Sequence, residues 1–244
     1  MNQRELLFAF ENKYQFLYDI QVNGVPIYTC LRDGVCARLQ GKRIEAETDS
    51  GEKGKVYIRR ILDSWRKLHK FRKKKTLIFT SAVYRRDKGR NLAAEYLLER
   101  YPDAVIFEWP SRNEAYDSAY SSDEIKGQYC PLEFYIIFYK FFCKIHRKQY
   151  KKMYQECEKQ IVDAFDKCKN EFEQHEQETI KYLLQEIPAS YASTNMSQVV
   201  FAKLFKGYRD VEYAIDFWGS ARENIIPVLP SKPQSIELQH GIIT

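Results

Sequence analysis

Between residues 56 and 71, apolar side chains fall at Ile58, Ile61, Leu62, Trp65, Leu68 and Phe71, the three-and-four spacing of an amphipathic helix. The period then changes. Thr76-Leu77-Ile78-Phe79-Thr80 is a short apolar run that predicts a buried strand, and Ala104-Val105-Ile106-Phe107-Glu108 predicts another. Between them, Asn91 to Tyr101 predicts a helix with Leu92, Ala93, Tyr96, Leu97 and Leu98 on its inner side, stopped by Pro102. Strand, helix and strand in this rhythm require a right-handed crossover and a parallel sheet.

The chain opens differently. Phe16-Leu17-Tyr18-Asp19-Ile20 and Val25-Pro26-Ile27-Tyr28 flank Asn23-Gly24, a dipeptide suited to the positive φ of a tight hairpin turn. Pro26 makes the second arm an edge strand. A short helix over about Cys30 to Leu39 follows, and the charged, aperiodic stretch from Gly41 to Gly54 is a loop. Further on, Pro131 opens an aromatic helix to about Tyr150, and a charged helix continues to about Ile187, where Pro188 ends it.

The last stretch returns to strands. Glu212 to Trp218 predicts one, Gly219 makes a turn, and Ser220 with Glu223 has the capping-box spacing of a helix reaching about Leu229. Pro230 and Pro233 close that helix. Ser235-Ile236-Glu237-Leu238 is the final strand, delivering Gln239-His240-Gly241 to its carboxyl end. The expected architecture is α/β, a parallel sheet flanked by helices, with an N-terminal β-hairpin and a long helical insertion. Residues 1–55 are a hairpin-and-helix extension, and residues 56–244 form the α/β domain, its insertion at about 131–187.

Composition supports a packed core: 44% of the 244 residues are hydrophobic, and 18 Tyr with 15 Phe suit a thick core with wet edges. The six cysteines show no CxxC pair and no ligand spacing with histidine, so they read as reduced, structural thiols. No apolar signal core follows Met1, which points to the cytoplasm. The most apolar stretch, Leu132 to Ile145, is short for a bilayer and interrupted by Lys140 and Lys144. It reads as a buried helix, with an interfacial membrane helix as the alternative.

The net charge of +6 is unevenly spread. One cationic run spans Arg66 to Lys75, and a second spans Lys144 to Lys152. Such runs are either solvated helix faces or surfaces that attract phosphates on nucleic acid, anionic lipid or substrate. No signature of specific nucleic-acid readout accompanies them.

In an open parallel sheet, ligands bind beyond the carboxyl ends of the strands. Three such ends are Thr80-Ser81, Trp218-Gly219-Ser220 and Gln239-His240-Gly241. The second leads into a helix start whose free amides suit an anion. The third presents an imidazole that titrates near neutrality, as a general base requires. The bland readings are that Ser220 only caps a helix and that His240 is a hydrogen-bonded turn residue. Glu237, in an apolar strand, needs a partner and can find one in an arginine.

The ending Ser235-Ile236-Glu237-Leu238-Gln239-His240-Gly241-Ile242-Ile243 resembles the "ELQHG-I-I" element of GT-B-type glycosyltransferases from bacterial surface-polysaccharide biosynthesis. Gly219-Ser220-Ala221-Arg222-Glu223 is similar to the family's lead-in, and Asn23-Gly24-Val25-Pro26-Ile27-Tyr28 to its opening hairpin. The resemblance implies a Rossmann-like N-terminal half that shapes the acceptor side of a cleft. In it, His240 would act as base or phosphate contact, with Gln239, Gly241, Gly219, Ser220 and Glu237 binding substrate. A nucleotide sugar would enter as substrate with no cofactor or metal, and the acceptor would be a saccharide or a lipid-linked one. The chain reaches Thr244 before a donor-binding half, so a second domain or partner chain is expected to complete the site. Peripheral contact with the inner face of the membrane would follow from such an acceptor. The competing expectation is a basic, non-catalytic module for nucleic acid or anionic membrane.

Overall fold

The computed structural model describes residues 3–41, 56–81, 91–109, 127–217 and 220–238. Helix α1 (Gln3–Lys13), the hairpin strands β1 (Gln21–Val22) and β2 (Val25–Pro26), and α2 (Tyr28–Leu39) come first. They are followed by α3 (Val56–Lys70), β3 (Thr76–Ser81), α4 (Leu92–Arg100), β4 (Val105–Trp109) and β5 (Tyr129–Pro131). Three helices, α5 (Glu133–Ile145), α6 (Arg147–Lys167) and α7 (Gln177–Leu204), lead to β6 (Tyr213–Asp216), the short α8 (Ser220–Asn224) and β7 (Gln234–Glu237). The chain divides into two compact units, Met1–Glu47 with Phe142–Ser197, and Thr48–Phe141 with Gln198–Thr244.

The second unit holds a five-stranded sheet in the order β5-β4-β3-β6-β7. Every pairing in it is parallel. The chain builds outward from β3 through β4 to β5, then returns to the other side of β3 for β6 and β7. This is the expected α/β class with a Rossmann-like sheet. Strand β3 is buried along its whole length, as a central strand covered on both faces must be. On one face, Phe79 stacks on Phe107 with centroids 5.7 Å apart, and Phe205 and Tyr208, just after α7, close over them. On the other, Ile78, Ile106 and Ile215 pack on Ala94, Leu97 and Leu98 of α4. Tyr96 points the other way and is exposed, because it lies about 200° around the helix from Ala94.

The first unit is helical around the hairpin. Asn23 and Gly24 take φ of 48° and 80°, the left-handed pair of a tight turn that joins β1 to β2. The hairpin is shorter than its sequence suggests: Gln15–Tyr18 form a 3-10 helix, which lets Leu17 reach the core. That core gathers Tyr14, Leu17, Tyr28, Ile161, Phe165 and Leu183. Two buried carboxylates tie it together. Glu11 accepts a bidentate pair from Arg32 at 2.7 and 2.9 Å and the Tyr28 hydroxyl at 3.1 Å. Glu176 accepts from Lys13 Nζ and Tyr14 Oη, both at 2.8 Å, and from the Glu173 amide at 3.0 Å.

Three expectations are corrected in the middle of the chain. Pro131 ends a strand instead of opening a helix; β5 is a sheet edge, where a missing amide hydrogen leaves no ladder bond unmade. Pro188 lies inside α7 and does not end it. Beyond it, Ala192 and Met196 are buried, and such packing offsets the lost backbone bond. Helix α5 is buried only at its start, through Glu133, Phe134 and Tyr135, while Phe138 and Phe141 are exposed. Among the described residues no helix is long and apolar enough to cross a membrane. The loop expected over Gly41 to Gly54 falls, beyond Gly41, outside the described residues.

Candidate functional site

Strand order reverses at β3, and the carboxyl ends of β3, β6 and β7 stand side by side. Crossovers leave such a point on opposite faces and open a crevice beyond the strand ends. Register pairs Phe79 with Asp216 and Asp216 with Glu237, so both carboxylates belong to the sheet face that carries Phe79. Thr80 pairs with Glu108 on the opposite face.

At the end of β3, Thr80 and Ser81 are buried, and buried hydroxyls need partners. Asn91 serves Thr80: its Nδ2 donates to Thr80 Oγ1 at 2.8 Å. Its Oδ1 accepts the Ala94 amide at 3.1 Å and so caps α4. One side chain thereby fastens a helix start to a strand end. Next along the sheet, the buried Glu108 accepts the Tyr129 hydroxyl at 2.6 Å.

Asp216 organises the other side. It is fully buried, its Oδ2 accepts the Arg222 amide at 2.8 Å, and its carbonyl accepts the Leu238 amide at 3.0 Å. It therefore ties both α8 and the chain leaving β7 to one strand end. One of the amides expected to suit an anion at the start of that helix is thus already engaged. The protein's own carboxylate takes the Arg222 amide, and α8 spans only five residues, so little dipole remains to hold a phosphate. The helix expected to reach Leu229 is instead α8 followed by a 3-10 turn at Ile226–Val228.

Of the site residues read from sequence, two lie among the described ones. Ser220 Oγ accepts from Asn224 Nδ2 at 3.3 Å. Glu237 pairs with Arg222 at 2.7 Å, both side chains about half exposed, so the pair contributes roughly 0–1 kcal/mol. The arginine partner expected for Glu237 is thus present. Gly219, Gln239, His240 and Gly241 lie outside the described residues, as does Trp218. Asp216, Glu108 and Asn91 were not singled out from sequence. The signal for the two acids was the one used for Glu237, a carboxylate in an apolar strand; for Asn91 it was a capping residue directly before a helix.

Burial pushes the Cys130 thiol well above its ordinary value and that of Cys157 up to about 12, which leaves neither a ready nucleophile. Among the described residues no cluster of His, Cys, Asp or Glu is arranged to hold a metal ion. In the first cationic run, Lys67 pairs with Asp63, Lys74 with Asp103 and Lys75 with Glu212, so part of that charge is spent within the fold. No protein-family model, curated protein or solved structure matches the chain.

Proposed function

We propose that the chain is the acceptor-side half of a glycosyltransferase that moves a sugar from a nucleotide donor to a saccharide or lipid-linked acceptor. The strand order carries this reading. With β3, β6 and β7 adjacent, their carboxyl ends share the rim at the reversal of strand order, where parallel sheets bind ligands. The element Gln239-His240-Gly241 follows Leu238 directly in sequence, and Leu238 is hydrogen-bonded to the buried end of β6. That bond fixes Leu238, the residue before this element, at the end of β6.

In the proposed reaction, His240 takes the proton of the acceptor hydroxyl as that oxygen bonds to the sugar's anomeric carbon. The bond from that carbon to the donor breaks, and the nucleoside diphosphate leaves with its electron pair. Gln239, Gly241 and Ser220 would line the cleft. Asp216 is a positioning residue, holding α8 and the exit of β7 in place.

The test is nucleoside-diphosphate release from a panel of nucleotide sugars by the chain joined to the donor-binding domain or partner that completes its site, supplied with saccharide and lipid-linked acceptors. Replacing His240 by Ala should lower turnover about 10²-fold or more, the scale of a lost general base. Turnover unchanged in that variant, or no donor consumed by the completed wild type, would reject the proposal.

A further inference from the structure

Apolar side chains that α3 and α5 leave in solvent lie together on the sheet-bearing unit. Trp65 of α3 stacks parallel on Phe138 of α5, centroids 5.5 Å apart, and meets Phe134 edge-on at 5.9 Å. Leu62 stands one turn before Trp65, Phe141 stands one turn after Phe138, and the exposed Ile137 directly precedes Phe138. Leu62 is 53% exposed and Phe141 64%, values far from a core position. Single exposed apolar residues are ordinary, but a contiguous set on two touching helices marks an interaction surface.

The same two helices carry exposed cations. Arg66 and Lys70 on α3, Lys73 just beyond it and Lys140 on α5 are exposed, and among the described residues none is in an ion pair. Their neighbours Lys67, Lys74 and Lys75 do have acidic partners. Within that run, the exposed cations Arg66, Lys70 and Lys73 are left uncompensated, and Arg66 directly follows Trp65 in sequence.

We propose that this face docks the protein on an anionic lipid bilayer. Trp65, Phe138 and Phe141 sit at headgroup depth, where amphipathic aromatic rings are favoured. Arg66, Lys70 and Lys73 meet the acidic headgroups. A second copy is a poorer occupant, because a two-fold contact brings the same cations face to face. Nucleic acid is poorer too: Leu62 and Ile137 offer nothing for a base to stack on and would be desolvated against phosphate. The inference is independent of sugar transfer and stands or falls without it.

Flotation of the full chain with phosphatidylcholine vesicles, with and without phosphatidylserine, tests it. The protein should float only with the anionic vesicles, and less so as salt is raised. Phe141→Ser should weaken binding about tenfold or more, and Lys70→Glu at least about fivefold. Both positions are on the surface, so both variants should keep the wild-type circular dichroism and melting temperature. Equal binding by the variants, or equal binding to neutral vesicles, would overturn the proposal. So would a dimer in sedimentation that Phe141→Ser dissolves, or retention of single-stranded RNA by a protein that leaves vesicles untouched.

Discussion

Glu176 carries three donors on one oxygen, and all three come from groups that would otherwise be loose ends of the helical unit. Lys13 closes α1, Tyr14 starts the turn into the hairpin, and the Glu173 amide opens the 3-10 turn before α7. Burial pushes the carboxyl pKa up, but the bonds from Lys13, Glu173 and Tyr14 outweigh it and leave the pKa lowered. Burial and the same carboxylate push the Tyr14 hydroxyl well up, so it stays a donor. A lowered folded pKa means that the stabilisation is complete above the ordinary carboxylate range and disappears as pH falls through the folded value. Glu176→Gln should cost about 2–3 kcal/mol at neutral pH, since it removes charge-assisted bonds from a buried site. Urea unfolding at pH 7 and pH 3 should show a smaller loss on acidification in the variant than in the wild type. Much of this scale was hidden in sequence. Glu237 could be read as needing an arginine, but Lys13 and Glu176 are 163 residues apart and no local pattern joins them.

Elements were more legible than the contacts between them. Strands β3, β4, β6 and β7 and helices α3 and α4 declare themselves through period and punctuation, because each buries a face of a definite width. Strand β5 did not: three residues are too few for a period, and the aromatic helix beginning at Glu133 absorbs them. Pro188 misled for a related reason, since a proline is a helix breaker only when packing does not compensate. The end of α3 offers a test of how elements are locked. Tyr208, fully buried, donates its hydroxyl to the Leu68 carbonyl in the last turn of α3, and burial pushes the phenol's pKa up so that it remains a donor. Tyr208→Phe leaves that carbonyl without its partner and should cost about 1–3 kcal/mol in urea unfolding. A cost near zero would mean that water replaces the bond and α3 is held by its apolar side chains alone.

At the scale of the molecule, the two units have separate cores, one centred on Tyr14, Tyr28 and Phe165 and the other on the sheet. Truncating Phe107, which contacts Phe79, Phe205 and Tyr208, should cost about 3–5 kcal/mol. In hydrogen exchange, that loss should fall on β3, β4 and β6 and spare the amides of α2 and α6. The sheet class followed from the strand–helix–strand rhythm, but its strand order did not, because order depends on which side of β3 the chain returns to. That return is what brings the three carboxyl ends together. It sets the buried Asp216 beside the carboxyl end of β7, although nothing in the spacing of the two strands says so.

The claim that this rim is the working edge can be tested through His240, the base of the proposed reaction. The chain has four histidines, His69, His146, His175 and His240, so ring resonances can be assigned by single substitutions to Gln. On titration with nucleotide sugars and acceptor saccharides, the signals of His240 should shift while those of His69, His146 and His175 stay in place. Shifts confined to one of those three, with His240 unmoved under saturating substrate, would contradict the account.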